Sequence, residues 1–488
     1  MIRFLILLFI LFLQACSPTS DTKTNNNSWT FFLFRESGDS GFRENESENE
    51  SLDLFVNQDS IQFHENLGNL DWTLMVGSPT VLTMRSRLAI DRSGSIYVAA
   101  DIGVDIDGNP LHYEPQDNPV RGIRDLILGK YDSQKKTIWT KQVGAPGAEL
   151  KVTGIAVDWN ENTYVTGSIV GAFEGVSLGV KKDLFLVKFA PDGNVMWKKQ
   201  TGPNGGNYEV SPEKIAIDTF GNSYIVGTSD GPFGGDEKKR GNGFIVKFDT
   251  DGNRIWVKQL AIQDGTISPM GVVFDKVTGS VYMAGYGNVN FETNSSPGIG
   301  YNNFFILKYD ADGNGRFFTQ LGVPKKRMGA YSVAVDLFGN VFAAGPSDAI
   351  FGSETVGNSF LGTLVKYDSS GVRQWVSQFG PFVGRKNTVI QAMATDKVGN
   401  VFTTGWSNGS ILDEGKHSIG SADVFLTKHN PSGQNEWKRQ MGTAGSLMSG
   451  NGVEIDLEGN LYCTGWTTGA LNGVPVTGNR DLFLMKFK

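Results

Sequence analysis

Asp218-Thr-Phe-Gly-Asn-Ser-Tyr-Ile-Val-Gly227 decides the fold, because the same phrase, Asp-x-x-Gly-Asn-x-Tyr/Phe-x-x-Gly, returns at 336–345, 396–405 and 456–465. Looser copies run from Asp91 to Ala100, Asp158 to Gly167 and, one residue longer, Asp275 to Gly285. An alternating apolar run leads into each copy, as in Glu213-Lys-Ile-Ala-Ile-Asp218. Period-two patterning specifies a half-buried strand, and the Asp and Gly that follow specify a tight turn into a second strand.

A second phrase, Trp-x-x-Gln-x-Gly, begins at Trp139, Trp197, Trp375 and Trp437, with degenerate copies at Trp256 to Ala261 and Phe317 to Gly322. Nine residues before each of these aromatics stands a lysine: Lys130, Lys188, Lys247, Lys308, Lys366 and Lys428. A constant offset across an Asp-Gly or Ser-Gly turn, such as Asp192-Gly193 or Ser370-Gly371, specifies a hairpin of fixed length. Each unit therefore holds four short antiparallel strands in roughly 60 residues, the pattern of a propeller blade. The last unit stops at Lys488 after its third strand, while Asp71-Trp-Thr-Leu-Met-Val-Gly77 supplies an unattached Trp strand at the other end. The expected architecture is an all-β, seven-bladed β-propeller of four-stranded antiparallel blades over 70–488, its ring closed by the N-terminal strand joining the last blade. Closure would remove two open sheet edges. A linear β array is the alternative.

The repeats resemble the bacterial β-propeller repeat family named for seven-bladed propellers, over about six-sevenths of the chain. Glu161 in place of Gly, Ala100 for the second Gly and Phe317 for Trp depart from its pattern. The resemblance implies fold and compartment, with members mostly secreted or lipid-anchored.

Ahead of the repeats, Arg3 precedes the apolar run Phe4–Leu13, which is shorter than a bilayer span, and Leu13-Gln14-Ala15-Cys16 follows. This resembles the lipobox of bacterial lipoproteins, which implies a signal peptide over 1–15 and an acylated Cys16, palmitate among its chains. Several chains on one residue give stable attachment where one alone is marginal. Ser17 occupies the position where Asp would imply inner-membrane retention, so the outer membrane is preferred, facing periplasm or surface. Residues 16–69 are expected to form an Asn/Ser/Glu-rich tether; residues 17–69 hold three Lys/Arg against ten Asp/Glu, so most of the chain's net charge of −7 belongs there. Within the tether, Trp29-Thr-Phe-Phe-Leu-Phe34 is too apolar for a simple linker. The near-neutral repeats exclude a binder that works by neutralising nucleic-acid phosphates.

Loop lengths locate a candidate binding face. The stretch from the second Gly (or Ala100) to the Lys varies between 20 and 30 residues, whereas the two turns on the other face barely vary. Variable loops on a rigid scaffold carry recognition. The longest insertion nominates Asp105, Asp107, His112 and Tyr113, and Trp406 and Trp466 follow second-strand glycines on the same face. The expected function is a non-enzymatic, lipid-anchored envelope scaffold for a protein or glycan partner, with no cofactor. An envelope hydrolase or lyase using carboxylates at the channel mouth is the alternative; convergent buried acids there would mark it. Only four histidines occur, at 64, 112, 417 and 429, the last expected in a turn. Cys463 suits a strand core better than a nucleophile's place. Asp105-x-Asp-Gly-Asn109, Asp249-x-Asp-Gly-Asn253 and Asp310-x-Asp-Gly-Asn314 resemble the opening of calcium loops. Leu260 and Leu321 stand where two of them would need a closing carboxylate, so no metal is expected.

Overall fold

The computed structural model describes residues 69–77, 83–103, 123–173, 181–203, 207–234, 243–260, 265–291, 298–351, 359–381, 386–412 and 418–488. Cys16, the Trp29–Phe34 segment, Asp105, Asp107, His112, Tyr113 and His417 lie outside these. Among the described residues there are 28 strands and no helix. They form five four-stranded antiparallel sheets and one larger sheet, which is two four-stranded units bridged by a single parallel pair, Arg124 with Glu149.

The innermost strands, in chain order, are Thr83–Ile90, Glu149–Val157, Val210–Ile217, Ile267–Asp275, Ser332–Val335, Thr388–Thr395 and Met448–Ile455. Each pairs with the next strand in sequence through the Asp-x-x-Gly turn. In every unit the aspartate's Oδ1 accepts backbone N–H groups of its own turn: Asp218 accepts from Phe220 and Asn222, and Asp456 from Glu458 and Asn460, all at 2.9 Å. In the four units with a Tyr six residues on, the same carboxylate also accepts its hydroxyl, as from Tyr462 to Asp456 at 3.1 Å. These repeated aspartates are thus turn formers.

The second Gly of the phrase has a different cause. A Cβ on Gly405 would sit 1.9 Å from the Val389 carbonyl oxygen, and one on Gly465 would sit 2.0 Å from that of Ser449. At this place the innermost strand carries a bulge and its backbone presses on the neighbour. Gly405→Ala is expected to destabilise by about 1–3 kcal/mol in urea unfolding, whereas at Gly459, where a Cβ would meet nothing within 4 Å, alanine is opposed only by the positive φ of 91°.

The Trp phrase and the invariant Lys form one device. Trp197 Nε1 and Lys188 Nζ both donate to the Thr250 carbonyl of the following unit, each at 3.1 Å. Trp256 and Lys247 share Ala311 O, and Trp375 and Lys366 share Pro431 O. Each lysine also lies over the second-strand Tyr or Phe ring, for example Lys188 4.9 Å from Tyr164. Nine residues is the spacing that brings the two donors to one acceptor across the hairpin.

Leu70–Val76 lies antiparallel beside Asp481–Phe487, with Trp72 opposite Lys486 and Met75 opposite Phe483. The pairing expected of the segment around Trp72 is therefore present. Trp72 Nε1 and Lys486 Nζ both donate to Ser133 O, at 3.2 and 3.4 Å, repeating the inter-unit device between the last unit and the first.

Two expectations are corrected. In the fourth unit the aromatic partner of Tyr282 is Phe318, at 5.1 Å and edge-on, one residue beyond the position the spacing assigns to Phe317, because a register shift intervenes between Ile306 and Leu307. His429 is the last residue of the strand Asp423–His429 and fully buried, not part of a turn. It takes the place that Phe189, Phe248 and Phe487 hold in other units.

Candidate functional site

The seven innermost strands line a central cavity of about 820 Å³. Two positions before each repeated Asp stands a residue of this lining: Ala89, Ala156, Ala216, Val273, Ala334, Ala394 and, in the last unit, Glu454. Burial pushes the Glu454 carboxyl up to about 7, against the opposing pull of Lys214 and Lys276. Aligning the repeats would have exposed it as the one acid in a column of small apolar residues. The nearby aspartates Asp275, Asp336, Asp396 and Asp456 are engaged by backbone N–H groups of their own turns.

At the opposite mouth, where the variable loops leave the sheets, a second recess of about 540 Å³ brings Trp406 and Trp466 together with Tyr331, Gln391, Asn451 and Arg87. Both tryptophans are half-buried and sit one residue after the glycines pressed on the innermost strand. The Arg480 guanidinium lies 4.1 Å from the Trp466 ring centre, covering one face. Tyr331 packs 6.1 Å from Tyr286, and burial, with Tyr286 beside it, raises its hydroxyl above the ordinary tyrosine range. Arg87 is tied to the second unit by its Nε donating to Thr153 O at 2.6 Å. The Asn451 side-chain oxygen is buried and accepts no hydrogen bond among the described residues. Of the six nominated binding residues, Trp406 and Trp466 are thus joined in one recess. Tyr331, Gln391, Asn451 and Arg87 beside them were not nominated; the first three share one column, five residues before the repeated Asp, and the variability of that column is their signal.

Among the described residues no group of three or more His, Cys, Asp or Glu is placed to hold a metal. The Asp249 and Asp310 carboxylates are taken up by their own hairpin turns: each Oδ1 accepts two backbone N–H bonds, from Asp251 and Asn253 and from Asp312 and Asn314. Cys463 is fully buried with its thiol pushed up to about 12, which suppresses the thiolate. His429 is held neutral by burial, with Lys438 adding to the effect, and its imidazole falls to about 4.

Six stretches, 138–174, 197–234, 255–292, 316–352, 374–413 and 436–471, match the β-propeller repeat family. Each runs from the fourth strand of one unit through the second strand of the next. The regulatory protein FlaEY of Caulobacter vibrioides is 27% identical over 172 residues, which is 33% of this chain; the match spans only 17% of that protein's length. Among solved structures, a chain of a mitotic checkpoint complex is 9% identical with a TM-score of 0.48, covering 88% of this chain and 98% of its own. A streptogramin B lyase is 8% identical with a TM-score of 0.46, covering 86% and 98%.

Proposed function

We propose that this chain, whose repeats match the β-propeller repeat family, is a closed seven-bladed propeller, held at a bacterial envelope by acylated Cys16. In this reading it binds a glycan without catalysis through the mouth that carries the variable loops. Three features support closure. The last unit takes its fourth strand from Leu70–Val76; Trp72 and Lys486 reach Ser133 O; and the innermost strands of the last and first units are in contact. The six family matches fit this count, because a seventh window would start at Trp72.

The observation that carries the binding reading is the recess holding Trp406, Trp466 and Tyr331 around the unpartnered Asn451 oxygen. Ring faces offer flat apolar surface to the C–H faces of a sugar, while Asn451, Gln391 and Arg87 offer acceptors and donors to hydroxyls. The hydrolase or lyase reading needs a second convergent acid beside Glu454, whose charged neighbours are Lys214 and Lys276.

Titration with soluble envelope glycans, followed by tryptophan fluorescence and calorimetry, tests the reading. The Trp406→Ala/Trp466→Ala variant is expected to keep its unfolding midpoint within a few degrees and to weaken binding by about tenfold or more. Unchanged affinity in that variant would remove the recess from the account.

A further inference from the structure

The x-x positions of the Asp-x-x-Gly turns all lie on the face opposite the variable loops, around the second mouth of the central cavity. Polar residues are the ordinary occupants of such turns. Here Trp159, Phe220, Val277, Val398 and Leu457 stand there, one per turn, and the fifth unit carries both Leu337 and Phe338. All are strongly exposed, from 61% for Leu337 and Leu457 to 80% for Phe220. Six of the seven turns therefore hold a large apolar side chain away from the core, where burial cannot explain it. Each turn is rigid, because its aspartate takes two backbone N–H bonds.

A second observation concerns how the chain arrives. Leu70 lies opposite Phe487, and the Lys488 backbone N–H donates to Asn69 O at 3.0 Å, so the chain enters its first strand at this same tight-turn face. In the proposed function, a chain leading from Cys16 into Leu70 would therefore reach the repeats on the side where the apolar ring stands.

We infer that the tight-turn face is a membrane-contact surface, whose ring of exposed turn residues enters the interfacial zone of a lipid bilayer and leaves the variable-loop mouth pointing away. A bilayer suits this ring better than a protein does. The side chains stand on successive turns around the cavity mouth, which Val277, Leu337, Val398 and Leu457 line, and a protein partner would need to match the whole ring, whereas the headgroup–acyl boundary accepts apolar side chains in any arrangement. Arg92, Lys276 and Lys397 lie in the ring, but Glu458 in the ring itself and Asp249, Asp251, Asp310 and Asp312 in the outer hairpin turns of the same face outweigh them. Apolar contact therefore carries the binding, and salt is expected to change it little.

The inference rests on the proposed function for the membrane and for the attachment through Cys16, so its test removes the acyl group. The full chain from residue 16, carrying Cys16→Ser, is sedimented with vesicles of phosphatidylethanolamine and phosphatidylglycerol, and with vesicles of phosphatidylcholine alone. Binding to both is expected, persisting at high salt. Phe220→Ser/Leu337→Ser/Phe338→Ser is expected to lower the partition coefficient about tenfold or more while the thermal midpoint stays near that of the parent. A polarity-sensitive dye on Phe338→Cys should shift to the blue on vesicles, and the same dye on Tyr301→Cys, across the molecule, should not; buried Cys463 does not compete for label. An unacylated chain that stays in the supernatant overturns the inference. So do equal binding by the triple variant, and a dimer formed through this face that vesicles fail to disperse.

Discussion

Trp72→Ala is expected to destabilise the protein by about 3–5 kcal/mol in urea unfolding, the usual cost of truncating a buried tryptophan. Trp72 lies ahead of the first complete repeat, where a linker residue would cost nothing. Its ring is buried, packs edge-on to Tyr462 at 6.3 Å and donates to Ser133 O. The substitution thus removes the contact between the last unit and the first together with the packing of the fourth strand. Trp375→Ala, at the equivalent place in the fifth unit, provides the scale, and the two losses should agree within about 1 kcal/mol. Trp72→Phe keeps an aromatic ring but loses the N–H and part of the indole's volume, and should cost about 1–3 kcal/mol. A Trp72→Ala protein as stable as its parent would show that Leu70–Val76 adds nothing to the last unit.

Two ionisable groups, the buried His429 and the half-buried Glu454 of the cavity lining, should tilt the pH dependence of stability in opposite directions. His429 is neutral in the folded chain, its imidazole lowered from the ordinary 6.5 to about 4. Its contribution is complete above pH 6.5 and is lost as pH falls towards 4, because the unfolded chain takes up the proton first. Glu454 is shifted the other way, from 4.5 to about 7, so the stability it permits is complete below pH 4.5 and falls as pH rises through 7. Each shift is worth at most about 3 kcal/mol, less for Glu454 because the central cavity admits water. Between pH 4.5 and 6.5 the two slopes oppose each other in the parent. His429→Phe removes one: relative to its effect at pH 8, it should gain about 2 kcal/mol at pH 5. Phenylalanine fits because Phe189, Phe248 and Phe487 fill the same place in other units. Glu454→Gln removes the other and should raise stability by about 1–3 kcal/mol at pH 8, with little change at pH 4. Parallel unfolding curves for parent and variants at both pH values would contradict these assignments.

Much of the fold was legible because it is periodic. The Asp-x-x-Gly phrase announced the turn between first and second strands, and the nine-residue offset from Lys to Trp announced the hairpin between third and fourth. The offset did not disclose its purpose, since two donors meeting at Thr250 O is a relation between neighbouring units and leaves no local pattern. Phe318 escaped because a bulge shifts register without changing spacing. His429 was misplaced because a polar residue at a strand's end looks like part of the following turn, and only packing against Phe379 distinguishes the two. The candidate site was legible in part. Trp406 and Trp466 stood out as large residues after invariant glycines, whereas Asn451 and Gln391 come from innermost strands, with Tyr331 just before one, and their convergence depends on the whole arrangement. Glu454 was visible in principle as the exception in its aligned column, and the apolar turn residues as departures from ordinary turn composition. Alternation and turn chemistry, which establish the strands, give such exceptions no weight.

The strand partnership between the beginning and end of the repeats governs both faces assigned above, and zero-length coupling tests it most directly. Lys488 Nζ lies 3.0 Å from Asp71 Oδ1. Carbodiimide treatment of the monomeric native protein should therefore join these two side chains by an amide, seen by mass spectrometry as one linked peptide that is lost when the protein is unfolded first. A native monomer that couples at other surface pairs but never between Asp71 and Lys488 would contradict the pairing, and the closed arrangement with it.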